Sequence, residues 1–566
     1  MGMVFDHCRT PRTQHILNPE LRRSALQGRM VQLTRESLTY ENHSERFIIN
    51  EHDVGENCFH RQYFNLYRAR INIMRPRIIE AAKERAEWDM QFFRSTMIMG
   101  VDPRTDSVFG CERILIMVQL TRESLTYENH SERFIINEHD VGENCFHRQY
   151  FNLYRARINI MRPRIIEAAK ERAGGEVKPC RLTKATKGSS SFVIGVVEKR
   201  VKLRPSVLHD LAEEQFILPQ PVEEDRLVTD EDYLEFEDED QIVRLTGVNM
   251  DDVATGCVIG LRGTPLKDDI FQVDEIIWPK LAIQPSFPSL SSDKYIMFVS
   301  GLAFSGESEK EAERLLSLDL LQKWVGGQLP VSVKERNLVG NIVRLVVAGE
   351  SVAITDQGRE FTTAARYLIR NEECPNVECA AHMDKFLSKV SSMLEVDVMP
   401  GLGDPATHLM PQQPIHRAVF PNASYHGKML NLVTNPYHFS LQGLHIMGTS
   451  GSNLSDLKRF SKEASSTDLL ERTLLWQHLA PTVPDTVDGF PFMDRDPLVI
   501  EEVFPHILFA ANQNFAESAV REFEGGRRTL LLSIPSFVKT KSAVLVNLRT
   551  LEVIEQNFTF DEELIS

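Results

Sequence analysis

One segment of this 566-residue chain occurs twice without a single difference. Met30 to Ala86 recurs as Met117 to Ala173. Architectural repeats diverge while keeping their core pattern, and about three units are needed to bury a continuous face. Two identical copies indicate a very recent duplication or an error in exon assembly, and the error is the favoured interpretation. Only one copy can adjoin the rest of the fold, and we expect the second to do so because it runs directly into the next domain.

Residues 1–116 are therefore treated as a leader plus the spare copy, and residues 117–174 as an N-terminal helical segment. Pro163 is expected to kink the helix or to open a second one at its first turn. The apolar positions at helical spacing are Phe146, Tyr150, Tyr154, Ile158, Met161 and Ile165. The arginines of this segment are Arg148, Arg155, Arg157 and Arg162. A row of arginines could contact nucleic acid, but the solvated face of an amphipathic helix is the commoner explanation and is preferred here.

The charge balance argues against a chain that binds nucleic acid by itself. Lys and Arg number 64 against 80 Asp and Glu, a net charge of −16, and such a field repels a phosphate backbone. The start MGMVFDHCRTPRTQ lacks the apolar core of a signal peptide, and no apolar run is long enough to span a membrane. Cys374 and Cys379 lack the second pair that a zinc tetrahedron needs, so no metal is expected there. These features favour an intracellular protein without a cofactor.

Residues 175–285 read as a small all-β domain. Short runs rich in Val and Ile, such as SFVIGVVEKRVKL and CVIGLRGTPL, are broken by Gly, Pro and Asp, as in an OB-fold barrel. The stretch EEDRLVTDEDYLEFEDEDQ is interpreted as an acidic insertion, which is opposite to the basic groove of a strand-binding barrel. Lys199 and Arg200 begin a basic stretch, and Arg200, Lys202 and Arg204 alternate as the solvent face of a strand would. We expect structural or protein-binding use.

Residues 286–566 predict an α/β domain. Apolar runs such as KYIMFVSGLAFSG, NIVRLVVAGE and HILFAANQ alternate with helical stretches such as ESEKEAERLLSLDLLQKWV and HMDKFLSKVSSML. Strands of this kind place the loops that follow them along one edge, where α/β enzymes have their sites. The fold class is therefore α/β joined to all-β.

Three long blocks resemble a known family: VDVMPGLGDPATHLMPQQPIH, LVTNPYHFSLQGLHIMGTSGSNLSDL and HLAPTVPDTVDGFPFMDRDP. They are similar to the B-subunits of replicative DNA polymerases, in particular to the small subunits of polymerase delta, and the resemblance runs from about Phe146 to Asn557. It implies an OB-fold barrel packed on a calcineurin-like phosphoesterase α/β sandwich that is inactive in eukaryotes. The equivalent subunit of another replicative polymerase fits less well, because LMPQQPIH and GTSGSNLSDL look delta-like.

Active phosphoesterases of that fold carry metal ligands at successive strand ends, because two metal ions need converging carboxylates and imidazoles. Aligned with those motifs, the ligand positions and their neighbours fall on Ser300, Leu302, Gly349, Glu350, Leu402, Gly403, Asp404, Asn512 and Asn514. Only Glu350 and Asp404 among them are carboxylates, and loop capping is the favoured role for both. No spacing among His416, His426, His438 and His445 makes a ligand set. We predict a vestigial site with no catalytic residue and no metal.

The resemblance also implies partners. It predicts a non-catalytic scaffold that bridges the C-terminal domain of the polymerase delta catalytic subunit to the third, clamp-tethering subunit, in the nucleus, during replication and repair. DNA would be contacted only through the complex. Two proline-rich loops are rigid enough to lose little entropy on binding, and their candidate contact residues are Pro411, Gln412, Gln413, Pro414, Pro481 and Pro484. The alternative is that these loops simply close over the old cleft.

Two other functions stay open from the sequence. The first is an active metal-dependent phosphoesterase or nuclease, which the lost ligands oppose. The second is a single-strand-binding module built on the OB barrel, which the acidic stretch opposes.

Overall fold

The computed structural model describes residues 12–15, 122–137, 139–141, 150–204, 226–304, 308–330, 332–352, 376–462 and 464–559. The chain divides into two compact units, Ser24–Ile116 and the remainder, and every described residue belongs to the remainder. The first copy of the repeat lies outside the described residues. Phe146 and Arg148 of the second copy, and Cys374, lie outside them as well.

The described residues form strands, α-helices and short 3-10 helices. The strands are β1 (Arg12–His15), β2 (Tyr127–Asn129), β3 (Ser191–Arg200), β4 (Tyr233–Glu237), β5 (Ile242–Thr246), β6 (Val258–Pro265), β7 (Ile270–Ile277), β8 (Tyr295–Val299), β9 (Ile342–Ala348), β10 (Glu395–Met399), β11 (Leu430–Leu432), β12 (Tyr437–Leu441), β13 (Leu444–Thr449), β14 (Ile507–Gln513), β15 (Glu517–Phe523), β16 (Arg527–Pro535), β17 (Ser542–Asn547) and β18 (Val553–Asn557). The α-helices are α1 (Phe151–Ala173), α2 (Ser308–Val325), α3 (Val333–Gly340), α4 (Asn376–Ser391), α5 (Ser452–Arg459), α6 (Ser466–Trp476) and α7 (Phe537–Thr540). The 3-10 helices are Ser131–Phe134, Leu182–Lys184, Met250–Asp252, Arg417–Val419, Ala423–Met429 and Glu524–Gly526.

The second copy of the repeat supplies both a helix and a strand. Helix α1 runs unbroken through Pro163, so the alternative of two helices is wrong. Its buried face carries Leu153, Met161 and Ile165, whereas Tyr150, one of the apolar positions at helical spacing, caps the start of the helix and is 39% exposed. Strand β2 was not predicted, and it pairs antiparallel with β12 at the edge of a sheet. The segment therefore joins two parts of the fold.

Strands β3 to β7 close a barrel in the order β3-β4-β5-β7-β6. All neighbouring pairs are antiparallel except β5 with β7. Helix α1 lies against β6, where a side-chain Cβ at Gly260 would come within 2.6 Å of Ile165. Glycine is required at that position because the helix and the strand approach so closely.

The stretch interpreted as an acidic insertion contains a barrel strand, so that interpretation is wrong for residues 233–237. In β4 the apolar side chains of Leu234 and Phe236 point into the barrel core, and the residues between them face outward. The carboxylates occupy only the outer face, which is the period of two that a strand requires. Their density in the sequence concealed the alternation.

The remaining strands form two sheets that pack face to face. One sheet has the order β1-β18-β17-β8-β9-β10-β11 and the other β15-β16-β14-β13-β12-β2. Alternate residues of β8 show the layering, because Phe298 packs between the sheets and Met297 packs under the outer helices. Helices α2 and α4 cover the first sheet, and α5, α6 and the barrel cover the second. The mixed α/β prediction is confirmed. None of the helices in the described ranges is long and apolar enough to cross a bilayer.

Candidate functional site

The loops after strands β8, β9, β10, β13 and β14 meet at one edge of the sandwich, where the sequence places the vestigial positions. The amide of Gly301 donates to the carbonyl oxygen of Gly349 at 3.0 Å. A Cβ at Gly349 would lie 2.7 Å from Ser450 Cβ and 3.1 Å from Gly401 Cα. Gly349 also has a φ of +79°, which favours glycine. The loops thus fill the edge with their own backbone.

The first pair of positions is occupied by groups that hold the fold. Ser300 is fully buried, and its hydroxyl donates to the Pro535 carbonyl at 3.0 Å and accepts from the Asn512 amide at 3.0 Å. Leu302 is fully buried in the core beneath the first sheet. Neither side chain offers a free donor atom to an ion.

Asp404 is buried and caps the loops around it. One carboxylate oxygen accepts from the amides of Ser351 and Val352, each at 2.9 Å, and the other accepts from Gly401 at 2.8 Å. Burial raises the pKa of Asp404 to about 6, against the opposing effect of these hydrogen bonds. The capping role that the sequence favoured therefore describes Asp404 in the structure.

Glu350 lies beside Asp404 in a left-handed backbone conformation with a φ of +51°. Its side chain is half-buried, and burial together with the charge of Asp404 raises its pKa, while Lys539 acts in the opposite direction. Because the Asp404 oxygens already accept from three backbone amides, this pair of carboxyl groups offers few free ligand atoms to a cation.

The final pair of positions separates into an internal and an external residue. The side-chain nitrogen of Asn512 donates to the carbonyl oxygens of Ala348 at 3.1 Å and Ser450 at 2.8 Å. These bonds connect the two sheets at this edge. Its side-chain oxygen is buried without a partner within the described residues. Asn514 is exposed and accepts from Lys539 at 2.9 Å.

The arrangement does not fit a two-metal centre. Leu402 is 47% exposed and Gly403 has no donor side chain, so the loop after β10 adds only Asp404, whose oxygens are already occupied. Within the described ranges, no group of three or more His, Cys, Asp or Glu side chains is placed to hold a metal ion. Metal-dependent hydrolysis needs several such donors converging on an open position.

Comparison with known proteins gives two family matches and several relatives. The family of B-subunits of DNA polymerases alpha and epsilon matches residues 296–519, and the OB-fold domain of DNA polymerase delta subunits matches residues 149–276. The "Probable DNA polymerase delta small subunit" of Caenorhabditis elegans is 35% identical over 449 residues, which are 77% of this chain and 97% of that protein. The chain belongs to the DNA polymerase delta small-subunit family.

Other members of the polymerase delta small-subunit family agree. The "DNA polymerase delta small subunit" of Oryza sativa subsp. japonica is 32% identical, covering 78% of this chain and 99% of that protein. The "DNA polymerase delta subunit 2" of Drosophila melanogaster is 33% identical, covering 77% and 98%. The predicted family and its OB-fold domain are therefore confirmed.

The basic stretch of the OB barrel of this polymerase delta family member is not a strand's solvent face. Lys199 is buried, and burial lowers its pKa to about 8. Strand β3 ends at Arg200, which pairs with Glu235 at 2.7 Å, and Lys202 and Arg204 follow it outside the strand. The predicted alternation is wrong because the chain turns after Arg200.

Arg157 corrects the interpretation of the helix arginines in this family member. Arg155 is exposed, as expected, but Arg157 is fully buried. Its guanidinium donates to Asp496 at 2.6 Å and to the carbonyls of Gly256, Pro481 and Val483 at 2.7–3.0 Å. Arg157 thus connects α1, the barrel and the sandwich. Burial alone would raise the pKa of Asp496, but Arg157 and His478 outweigh it and keep that pKa below its usual value.

The two proline-rich loops lie largely inside the chain. Pro411, Gln412 and Pro481 are buried, and the Gln412 amide nitrogen donates to the carbonyls of Gly401 and Thr407. Gln413 bonds the backbone of Phe134 and Ile136 in the second repeat copy. Pro414 and Pro484 are half-buried. Of the six candidate contact residues, only Gln413, Pro414 and Pro484 are accessible, each half-buried, and partner contact stays a prediction.

The histidines show one association that the sequence did not reveal. His416 is exposed and His426 half-buried beside Ser388, whereas His438 and His445 are joined by a 3.2 Å hydrogen bond between ring nitrogens. His130 and His506 stack on this pair and complete a histidine cluster. Burial lowers the pKa of His438 to about 2 and that of His445 to about 4. The pairing of β12 with β13 brings them together, although their spacing carries no known motif.

Proposed function

We propose that the chain is a non-catalytic accessory subunit of replicative DNA polymerase delta, acting in the nucleus in replication and repair. It bridges the C-terminal domain of the catalytic subunit to the third, clamp-tethering subunit, and DNA is reached only through the complex. Its sandwich is interpreted as a calcineurin-like phosphoesterase fold that has lost its ions. Family membership supports the assignment to the polymerase.

One observation carries the non-catalytic part of the proposal: the loop edge is closed by its own hydrogen bonds. The carboxylate oxygens of Asp404 accept hydrogen bonds from three backbone amides, and Ser300 and Asn512 link the strand ends. A hydrolytic site needs the opposite, namely free donors around an open position for water. The remaining rigid sandwich serves as a platform.

The test is co-purification of the full chain with the catalytic subunit's C-terminal domain, beside a version lacking residues 30–116. Binding by both supports the scaffold and makes the first repeat copy dispensable. Binding by neither removes the partner assignment. A parallel assay with a generic phosphodiester and added manganese addresses the nuclease alternative. Hydrolysis that disappears in Asp404→Ala would contradict the non-catalytic role.

A further inference from the structure

A groove of about 560 Å³ runs between helix α1 and the β3–β4 side of the barrel. Its apolar part is formed by Phe151 and Ile158 of the helix and by Val196 of β3. Phe151 is 66% exposed and lines the groove. Exposed aromatic side chains beside a concave surface are typical of protein interfaces.

The apolar surface continues beyond the groove. Tyr150, next to Phe151, is 39% exposed, and Met493 is 47% exposed and accepts a hydrogen bond from Asn152 through its sulfur at 3.3 Å. The Tyr150 hydroxyl donates to the Gly489 carbonyl at 3.1 Å, so its ring is held in place. Two aromatic rings, one of them held by a hydrogen bond, and an adaptable methionine provide apolar contact area.

The walls of the groove are mainly acidic. Five carboxylates line it, Glu198, Glu237, Asp238, Glu239 and Asp485, against one lining cation, Arg155. Glu239 is already paired with Arg162 and Arg181. Asp238 accepts from the amides of Leu182, Asp240 and Gln241.

Of the other three carboxylates, Asp485 accepts from the Tyr154 hydroxyl, and Arg204 donates to the Asp485 carbonyl oxygen at 2.6 Å. Glu198 pairs with Arg200 at 2.8 Å, yet burial and the nearby carboxylates Asp485 and Glu235 still raise its pKa, with Arg200 opposing. Glu237 is exposed on the neighbouring strand β4, paired with Val196, and no described cation lies within ion-pair distance of it. A cation brought in from outside would relieve this repulsion.

We infer that this groove docks a segment of a protein partner that places an apolar side chain against Phe151 and a Lys or Arg between Glu237 and Asp485. The inference rests on the proposed scaffold function and deepens it by naming the chemistry of one contact. The occupant is a polypeptide because the apolar surface extends past the groove onto Tyr150 and Met493, farther than a small molecule would cover.

The experiment measures binding of the full chain to two probes separately, the catalytic subunit's C-terminal domain and the third subunit. Phe151→Ala should weaken binding of one probe about tenfold, because it removes the exposed ring of the contact. Glu237→Lys should weaken the same probe about tenfold and also reduce the loss of affinity between 0.1 M and 0.5 M salt. Both residues are exposed, so thermal unfolding should be unchanged.

Matched controls lie on the far part of the sandwich. Phe515 is 70% exposed and Glu524 is also exposed. The control variants are Phe515→Ala and Glu524→Lys, and neither should affect binding of either probe. If the unaltered chain binds a probe and the groove variants bind it equally well, the groove assignment fails while the scaffold function stands. If the unaltered chain binds neither probe, the scaffold function itself fails.

Two other occupants have their own outcomes. Self-association of the chain alone, lost in Phe151→Ala, would assign the groove to a second copy of this chain. Partner binding that strengthens about tenfold or more when residues 205–225 are removed would assign it to that part of the chain. Either result would overturn the inference.

Discussion

Replacing Arg157 with alanine should destabilise the packing of α1 and the barrel on the sandwich by about 3–5 kcal/mol. The ion pair with Asp496 is completely buried, with 2.6 Å between Nε and the carboxylate. Removing the guanidinium leaves Asp496 as a buried charge that keeps hydrogen bonds to His478 and to the Leu498 amide but loses its paired cation. The carbonyls of Pro481 and Val483 lose a donor as well. Uncompensated charge and lost hydrogen bonds act in the same direction.

The assay is urea-induced unfolding of the full chain, followed by tryptophan fluorescence and by circular dichroism to detect separate transitions. Two controls match the substitution. Arg155→Ala removes an exposed arginine of the same helix and should change stability by no more than about 0.5 kcal/mol. Arg70→Ala removes the identical residue of the first repeat copy and should have no effect if only the second copy is part of this fold.

Two outcomes would refute the reasoning. A loss below about 1 kcal/mol for Arg157→Ala would mean that the site is solvated, contrary to its burial. A loss shared equally between Arg70→Ala and Arg157→Ala would mean that both copies use the same contacts. The variant Arg157→Lys should fall between the extremes, since lysine keeps the charge but cannot reach three carbonyls and a carboxylate at once.

Three further results are expected. The free energy of unfolding should fall as the pH drops below about 6.5, because the pKa of His438 is lowered in the folded chain and the unfolded chain therefore binds the proton first. This residue alone contributes a slope of about 1.4 kcal/mol per pH unit, and His438→Gln should flatten the dependence. Asp404, whose pKa is raised, acts in the opposite direction in both the unaltered chain and the variant, so its effect cancels when the two are compared. Asp404→Ala should cost on the order of 3 kcal/mol in urea unfolding, because three buried amides lose their acceptor, and an unchanged midpoint would contradict the capping role. Gln413→Ala should cost about 1–2 kcal/mol and expose residues 131–137 to limited proteolysis, and an unchanged digestion pattern would show that its bonds to Phe134 and Ile136 do not hold this segment.

The elements with a strong local period could be predicted from the sequence. The sequence predicted strands β8, β9 and β14 and helices α2 and α4, because each buries one face or both against a neighbouring layer and therefore carries a regular pattern of apolar residues. The barrel strand β4 was missed because its outer carboxylates dominate the composition. An alternation of Leu234 and Phe236 with polar neighbours was the available signal.

The contacts between distant residues could not be predicted in the same way. Arg157 stands among other arginines on a helix, and only the position of Asp496, far along the chain, decides that it is buried. The histidine cluster likewise depends on the pairing of β2, β12 and β13. The vestigial positions were named from the family resemblance, and the structure adds what the sequence lacks, namely that Asp404, Ser300 and Asn512 bond the neighbouring loops.

Strand β2 is synthesised long before β12, the strand with which it pairs, so this pairing is delayed during synthesis. Tyr127 and Tyr437, whose hydroxyls lie 3.0 Å apart, are 310 residues apart in the chain. At a translation rate of about 5–20 residues per second, β2 leaves the ribosome roughly 15–60 s before its neighbour exists. During that interval its strand edge is open to pairing with other chains. The nascent polypeptide therefore depends on whatever shields this short stretch until the sandwich is complete.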